Sequence, residues 1–416
     1  MAAQRGTWIA LAGIAIAAAL LHVGNLVFLS SERGCDLRTF ACPPQHDPFV
    51  APDTAGYLHA MRELREQGIF GVSTIKRPPG YPALLLVAED LTGSPRNVLW
   101  LSAVFAGLAA AAISWLVLRA SGRLSLAIVA GVAFCWWPNA LQFSPMLLTD
   151  GIHGFAAVAA VAATLCWRDS ESGPAAALAG ALWLLVQSLR LTFFWLPAVL
   201  PLLLVKRGAS RFYRRGSVAL WAIGFLMPGF LLTSNWLHHG AATLSEIPAR
   251  NLACYSVPRL QAELGQGDFY PLRRDCIRRY RHLEPAARIA AQEHAAVRFL
   301  LAHPGRALSS FMGEVVRQLT HSMRPYYKVD LRPLYRDWPV PGKWFLPAFW
   351  AAAAIGLLIW ARTAPLEAAF LGLVFVGVIL PAATSHLVGG RLRFPLDLMF
   401  LPVVVAIANR FVRSRE

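Results

Sequence analysis

The stretch Asn97–Leu118, NVLWLSAVFAGLAAAAISWLVL, decides the fold class of this 416-residue chain. It has no charged residue over 22 positions, and a helix of that length can cross roughly 30 Å of hydrocarbon. Similar apolar runs recur along the chain, which is 56% hydrophobic and 15% charged, with a mean hydropathy of +0.48. Soluble domains are much less apolar. The sequence therefore predicts an all-α fold, a polytopic bundle of transmembrane helices.

Apolar windows between charge clusters give about ten predicted spans. The first could instead be a secretory signal, but its length and the lack of a clean small-residue cleavage site favour a retained helix. The segment Phe193–Val205 is short, so the count could differ by one. The predicted spans are Thr7–Leu29, Asn97–Leu118, Leu124–Leu141, Gly151–Trp167, Pro174–Leu189, Phe193–Val205, Val218–Leu237, Lys343–Trp360, Pro365–His386 and Phe394–Ala408.

The short connections between these spans differ in charge. The connection 142–150 has no Lys or Arg, whereas alternate connections contain Arg119, Lys206 to Arg215, Arg362 and Arg410. The positive-inside rule then predicts cytoplasmic termini. No Asn-X-Ser/Thr site occurs, which is typical of a bacterial envelope protein. We expect a multi-pass protein of the bacterial inner membrane, active on its outer, periplasmic face.

This topology divides the chain into three predicted parts. They are an N-terminal transmembrane catalytic module at 1–237 that includes the first outer loop 30–96, a periplasmic segment at 238–342, and C-terminal transmembrane helices at 343–416. The middle part has helical spacing over Glu284–Ala302 and again over Pro304–Met323. It is predicted to form a small helical cap that closes over a site or contacts an acceptor.

The first outer loop begins with an acid and an amphipathic stretch. Asp53 precedes apolar positions at Tyr57, Met61 and Leu64, a spacing that predicts a helix lying on the membrane surface, with Gly68 as its stop. Asp53 has two interpretations that the sequence leaves open. It is either the N-cap of this helix or a general base that activates a hydroxyl or amine at the membrane surface.

The same loop continues with KRPPGYP at 76–82. Two prolines fix the backbone and so give the preceding cation a defined direction. Arg77 suits a phosphate, because a guanidinium can bind two of its oxygens at once. Lys76 is a second candidate for phosphate binding, although snorkelling to the interface explains it as well.

Further charges lie at the predicted outer ends of spans. Asp150 is an ionisable group at the edge of hydrocarbon, and it is either catalytic or the N-cap of the span that begins at Gly151. Arg190 is a phosphate contact or an interfacial anchor. Arg391 and Arg393 lie on the side that the positive-inside rule would leave uncharged. They are predicted to bind an anion.

Net charge and cysteine usage restrict the partners. The net charge of +16 is explained by cations that flank spans and contact anionic lipids. No nucleic-acid or ATP-binding pattern is present, so no nucleic-acid partner is expected. The six cysteines show no zinc spacing. A divalent cation near Asp53 and Asp150 remains an open alternative, and sequence alone identifies no metal ligand.

Four of the six cysteines fall in predicted outer segments, where disulfides can form. They are Cys35, Cys42, Cys254 and Cys276, whereas Cys135 and Cys166 fall in spans. Four cysteines allow three pairings. Local closure costs the least chain entropy, which favours Cys35–Cys42 and Cys254–Cys276.

Taken in order, these motifs resemble the polytopic C-type glycosyltransferases. The resemblance covers nearly the whole chain and is carried by Asp53 and Tyr57, RPPGYP at 77–82, Pro145 with LTD at 148–150, AHPGR at 302–306, and RLRFP at 391–395. The bacterial branch near protein O-mannosyltransferases and lipid A aminoarabinose transferases is the most similar. The chain departs from this family at two positions. In many protein mannosyltransferases two adjacent acids occupy the first loop, whereas here Thr54 follows Asp53. After the C-terminal Arg391, many relatives have Tyr where this chain has Leu392.

The resemblance implies an inverting transfer of a sugar from a polyprenyl-phosphate-linked donor. It implies Asp53 as the base, Arg77 at the donor phosphate, Asp150 as the acid at the fourth span, and Tyr57 and Tyr81 beside substrate. The two departures leave the acceptor undefined, so lipid, glycan and protein are all retained, and a monomer is expected. Two alternatives are a lipid-linked glycan flippase or exporter, which would place charges at the membrane midplane, and an O-antigen ligase-like transferase.

Overall fold

The protein is an all-helical, polytopic bundle. The computed structural model describes residues 2–43, 47–206, 208–320, 345–385 and 391–413. Of these residues 81% are helical, and none lies in a strand. Within the same ranges, five helices are long and apolar enough to cross a membrane, and four shorter helical stretches are also apolar. The predicted fold class is confirmed.

Nine apolar helices form the bundle. They are α1 (Ala2–Glu32), α4 (Val98–Ser121), α5 (Leu124–Cys135), α7 (Thr149–Ser170), α8 (Gly173–Leu189), α10 (Arg211–His239), α16 (Phe345–Ala361), α17 (Pro365–Ala383) and α18 (Phe394–Arg413). Helix α7 is the most enclosed of the five long helices, and it packs against α4, α8 and α18. Its Ala and Gly residues allow this close packing. Predicted span residues 343, 344 and 386 lie outside the described ranges.

Two predicted spans differ in the structure, and proline is the reason in both. The run Leu124–Leu141 divides into α5 and a short α6 (Pro138–Phe143), because Trp137 is extended before Pro138. The run Phe193–Val205 contains only the nine-residue helix α9 (Leu196–Leu204), which begins with a proline at its second position and follows a 3-10 turn. At about 1.5 Å per residue this helix is too short to cross a bilayer. The prediction of a span there was wrong.

The first outer loop forms two helices. Helix α2 (Thr54–Gly71) buries Tyr57, Met61 and Leu64, the stripe that the sequence predicts. It kinks at Gly68, where φ is 71°. Helix α3 (Gly80–Thr92), which the sequence did not predict, begins directly after Pro79. The proline pair therefore initiates a helix, a position that proline tolerates well.

The segment 238–320 is helical as predicted. It contains α11 (Ile247–Asn251), a π-helical turn over Leu252–Ser256, α12 (Val257–Glu263), α13 (Phe269–Tyr280), α14 (Pro285–Ala302) and α15 (Pro304–Thr320). The helices predicted at 284–302 and from 304 onward are present. Helix α15 packs directly against α16 and α17. The rest of the predicted cap, 321–342, lies outside the described residues.

The opposite end of the bundle is held by ion pairs. Glu367 at the start of α17 is buried and accepts hydrogen bonds from Arg119 at the end of α4, at 3.1 Å from each terminal nitrogen. Arg168 near the end of α7 also pairs with Glu367. This network joins three helices at the end that the positive-inside rule places in the cytoplasm.

Candidate functional site

Two loops at one end of the bundle are fastened together by hydrogen bonds. The Leu147 amide donates to the Phe49 carbonyl at 2.8 Å, and the Thr54 hydroxyl donates to the Leu147 carbonyl at 3.0 Å. The hydroxyls of Tyr57 and Thr149 lie 3.2 Å apart. These bonds fix the start of α2 against the start of α7. They thereby bring Asp53 close to Asp150.

Asp53 and Asp150 belong to a continuous chain of ion pairs. Arg77 Nη2 lies 3.0 Å from Asp53 Oδ1, and Arg391 Nη1 lies 2.6 Å from Asp53 Oδ2. The same Arg391 places its Nε 2.8 Å from Asp150 Oδ2, and Arg190 pairs with Asp150 Oδ1. We call these five residues the arginine–carboxylate cluster. Five residues that the sequence singled out from four separate segments thus meet in one place.

The members of the cluster differ in their access to solvent. The side chain of Asp150 is fully buried and that of Arg391 is 4% exposed. Asp53 is 38% exposed, and Arg77 and Arg190 keep exposed edges. Three guanidiniums and two carboxylates leave the cluster with one net positive charge. An anion that enters it meets exposed guanidinium edges, and Asp53 is the more accessible of its two carboxylates.

The position of Arg77 is set from two sides. The carbonyl of Ile75 accepts hydrogen bonds from Ser245 Oγ at 3.0 Å and from the Glu246 amide at 2.9 Å, which anchors the residues before Arg77 to the segment before α11. The Arg77 guanidinium lies over the Tyr57 ring, 4.1 Å from its centroid. A cation in this place is stabilised by the ring face.

A glycine in α2 makes room for this arrangement. A Cβ at Gly56 would lie only 3.0 Å from Arg77 Nε, so a side chain there would displace the guanidinium. Gly56 is a contributor that the sequence reasoning missed. Tyr81, a predicted substrate contact, lies 1% exposed behind Tyr57, with the two rings at 4.9 Å and 74°. It supports Tyr57 rather than lining the open side of the cluster.

The side chains of both predicted site acids do not cap a helix. Asp53 occupies the residue before α2, but its side chain makes no capping hydrogen bond. Helix α7 begins at Thr149 after Leu148, so Asp150 lies inside the first turn. Both carboxylates bond to guanidiniums instead. The N-cap interpretation therefore holds for neither acid.

The ion pairs change the acidity of Asp53. Partial burial by itself would raise its pKa, but the guanidiniums of Arg391 and Arg77 outweigh burial and lower the pKa from 3.8 to about 2. The carboxyl is therefore ionised at neutral pH. It is also a weak proton acceptor for as long as both arginines hold it.

Arg393 and Lys76 do not join the cluster. Arg393 is fully buried, with its Nε 2.8 Å from Asp397 Oδ1, and its Nη1 donates to the Gln318 carbonyl. Asp397 also accepts from Asn139 Nδ2 at 2.9 Å. Arg393 and Asp397 therefore form a buried ion pair. Because its charge is neutralised inside the protein, Arg393 is not placed as the phosphate contact that the sequence predicts. Lys76 is exposed and makes no ion pair with any described residue.

Asp397 was not predicted as a paired residue, although the sequence around it indicates an ion pair. An acid inside an apolar span is costly unless it is paired. Arg393 lies four residues before Asp397, the spacing at which helical side chains meet. That combination predicts an internal ion pair between Arg393, the residue just before α18, and Asp397 in its first turn, whereas Arg391, two residues earlier, reaches the cluster.

A divalent cation does not fit the cluster as arranged. Each of the four carboxylate oxygens of Asp53 and Asp150 has a guanidinium nitrogen as its partner. A cation in their place would face three positive charges at close range. Among the described residues no group of three His, Cys, Asp or Glu side chains is arranged to hold a metal.

Both locally favoured disulfides are present in the structure. Cys35 pairs with Cys42 and Cys254 with Cys276. Cys135 and Cys166 are free. The first bridge lies between α1 and the loop that leads to Asp53, and the second joins the π-helical turn to α13.

Comparison with solved structures shows a similar fold, whereas comparison of the sequence finds no match. The sequence matches none of the protein-family models and none of the curated proteins with which it was compared. Among solved structures, the fold is similar to the archaeal oligosaccharyltransferase AglB from Archaeoglobus fulgidus, solved in complex with an inhibitory peptide and a dolichol-phosphate. The TM-score is 0.49 at 14% identity, over 96% of this chain and 50% of that one. The chain thus spans half the length of that protein, and similarity of this degree does not assign an activity.

Proposed function

We propose that the protein is an integral-membrane glycosyltransferase that moves a sugar from a polyprenyl-phosphate-linked donor to an acceptor, with inversion at the anomeric carbon. The arginine–carboxylate cluster is the observation that supports this proposal. It combines guanidiniums with exposed edges, which suit a phosphate, with an ionised carboxylate that is accessible from outside. A polyprenyl-phosphate sugar needs both at the surface of a membrane.

In the proposed reaction, the donor phosphate binds to Arg77 and Arg190, beside Arg391. The bond between the anomeric carbon and the phosphate oxygen breaks, and the arginines stabilise the negative charge that develops on the leaving phosphate. The acceptor oxygen or nitrogen attacks from the opposite side of the ring. Asp53 takes its proton.

Donor binding would also prepare Asp53 for this role. A phosphate that draws Arg77 or Arg391 away from Asp53 removes the interactions that hold its pKa at about 2. The pKa of the carboxyl then rises towards its ordinary value, and the carboxylate becomes a better base. We infer an ordered reaction in which the donor binds before the acceptor proton is taken.

Asp150 has a different proposed role, because it is completely buried. It holds Arg190 and Arg391 from behind, so it is a positioning residue for the two guanidiniums and not a second base. The positive-inside pattern favours the outer, periplasmic face for the cluster and the cytoplasm for both termini. The acceptor is proposed only as a periplasmic lipid, glycan or protein.

The main alternative is a flippase or exporter of lipid-linked glycans. Such a transporter should carry its charged residues near the midplane, between repeated halves. In the described part of the chain, the cluster lies where α7 begins and α8 ends, at one end of the bundle. This position favours chemistry at the membrane surface.

The test uses purified protein with a radiolabelled polyprenyl-phosphate sugar and an extract of periplasmic acceptors. Transfer of label with release of polyprenyl phosphate supports the proposal. Movement of intact donor across vesicles, with no sugar released, would instead assign the transporter.

A further inference from the structure

Helix α15 buries two polar side chains and exposes three apolar ones. Glu314 and Gln318 face inward and are 2% and 1% exposed. Leu308, Met312 and Val316 face outward and are 63%, 48% and 55% exposed. A helix on a water-facing surface buries its apolar residues and exposes its polar ones. The inner side of α15 also carries Val315 and Leu319, which are partly buried against the core. The exposed apolar row is therefore the part of this helix that water does not favour.

The inward polar residues form hydrogen bonds within α15 and to the segment before α18. The Gln318 side chain donates to Glu314 Oε1 at 2.9 Å, and the Gln318 carbonyl accepts from the Arg393 guanidinium. Arg317 pairs with Glu314. The Arg393 contact joins the inner side of α15 to the segment before α18, and the apolar stripe lies on the opposite, outward side.

The apolar stripe continues onto neighbouring helices. Leu301 near the end of α14 is 72% exposed. On α17, a helix able to cross a membrane, Leu373 and Leu380 are also exposed at 45% and 44%. Because α15 packs against α17, the outward apolar residues of α15 lie beside a helix able to span a membrane.

A groove lies where these helices meet. Its volume is about 370 Å³, and its lining is mainly apolar, with Leu252, Leu260, Leu301, Leu308, Phe311 and Thr384 among the residues. Thr384 directly follows α17, so the groove opens at the end of a span, where hydrocarbon gives way to headgroups. Ligand pockets have volumes of roughly 300–1,000 Å³.

Cations flank the groove and the stripe. Arg298 and Arg306 are exposed, and neither makes an ion pair with a described residue. Arg306 is next to Ala307, which lines the groove. A guanidinium beside an apolar groove matches the two ends of a phospholipid, a phosphate and a hydrocarbon chain.

We propose that α15 and the end of α14 are a lipid-binding face, which holds a membrane phospholipid with one acyl chain in the groove and its phosphate beside Arg306. The proposal does not depend on the transferase activity. It assigns α15 to the surface of the bilayer, although the sequence placed this helix in a cap outside it.

Spin labelling in phospholipid nanodiscs tests the placement. Labels are attached at Leu308→Cys and Met312→Cys, with Cys135 and Cys166 replaced by Ala and both disulfides kept. Matched controls are Gly313→Cys, an exposed site of α15 outside the apolar stripe, and Ala290→Cys, an exposed site on the first half of α14. We expect an oxygen-to-nickel accessibility ratio several-fold higher at 308 and 312 than at the controls. Equal ratios at all four sites would overturn the membrane placement.

Lipid retention tests the phosphate contact. Native mass spectrometry of the detergent-purified protein is expected to show bound phosphatidylglycerol, with several-fold less in Arg306→Gln. Arg279→Gln, an exposed change on α13, is the control and should retain it. Retention that is unchanged in Arg306→Gln, or displacement of the phospholipid by added polyprenyl phosphate, would overturn the assignment of the groove to a structural phospholipid.

Discussion

The carboxylate of Asp53 accepts a hydrogen bond from Arg391 Nη1 at 2.6 Å, across 338 residues of sequence. This contact joins the first outer loop to the segment before the last helix. It also connects Asp53 to Asp150, because the Nε of the same guanidinium lies 2.8 Å from Asp150. Arg391 therefore bridges the two carboxylates of the cluster.

Asp53→Asn is expected to reduce sugar transfer by about 10²–10⁴-fold, the range for loss of a general base. The amide keeps the shape of the side chain but cannot accept the proton. Turnover is measured with purified donor lipid, and folding is checked by thermal unfolding in detergent. Asp90→Asn, an exposed acid on α3 that pairs with Arg65, is the control and should keep activity. Wild-type turnover in Asp53→Asn would place the base elsewhere.

Arg77→Ala is expected to weaken use of the donor more than use of the acceptor. A lost charge-assisted contact with phosphate corresponds to about 1.5–3 kcal/mol. The measurement is the KM for donor against the KM for acceptor. Arg62→Ala, on the exposed side of α2, is the matched control. A donor KM that does not change in Arg77→Ala would contradict its role at the phosphate.

Arg393 has a different expected effect. Arg393→Met leaves Asp397 buried beside Asn139 without its guanidinium partner, a change that costs about 3–5 kcal/mol in comparable buried pairs. We expect a large drop in thermal stability. The double variant Arg393→Met with Asp397→Leu should recover most of the loss, since neither charge is left alone. If Arg393→Met changes only the donor KM, Arg393 belongs to the site after all.

The acidity of Asp53 predicts the pH dependence. Because its pKa is lowered in the folded protein, its ion pairs stabilise the fold above its ordinary pKa of 3.8, and this contribution is lost as pH falls through about 2. In the free enzyme, protonation of Asp53 should therefore cause no fall in kcat/KM between about pH 7 and pH 4. In Arg391→Gln the pKa of Asp53 rises, so the fall in kcat/KM on acidification should begin at a higher pH. An unshifted profile in that variant would contradict the coupling.

The two disulfides can be tested by peptide mapping under non-reducing conditions. Cys35–Cys42 and Cys254–Cys276 peptides are expected to be linked, with Cys135 and Cys166 alkylated as free thiols. Each bridge should stabilise its segment by roughly 2–4 kcal/mol. Free thiols at all four bridged positions would also contradict the outward placement of these segments.

The sequence by itself determined the class of fold and all five residues of the cluster. Uncharged runs such as Asn97–Leu118 require helices, because backbone groups in hydrocarbon must bond within their own segment. Asp150, Arg190 and Arg391 could be selected because charge at a span end is costly without a purpose, and Asp53 and Arg77 because of the helix start and the proline pair beside them. Sequence spacing also favoured the two disulfides, since each closes a local loop.

Only the tertiary structure decided which charges meet. Arg391 and Arg393 are alike in sequence, but one reaches Asp53 and Asp150 while the other is neutralised by Asp397. Helix α15 reads as an ordinary amphipathic helix, but which of its faces is buried depends on the helices it packs against. Periodicity specifies that a helix has two faces, and only long-range packing determines what medium each face meets. For the same reason the ion pairs across 338 and 241 residues could not be predicted from local pattern.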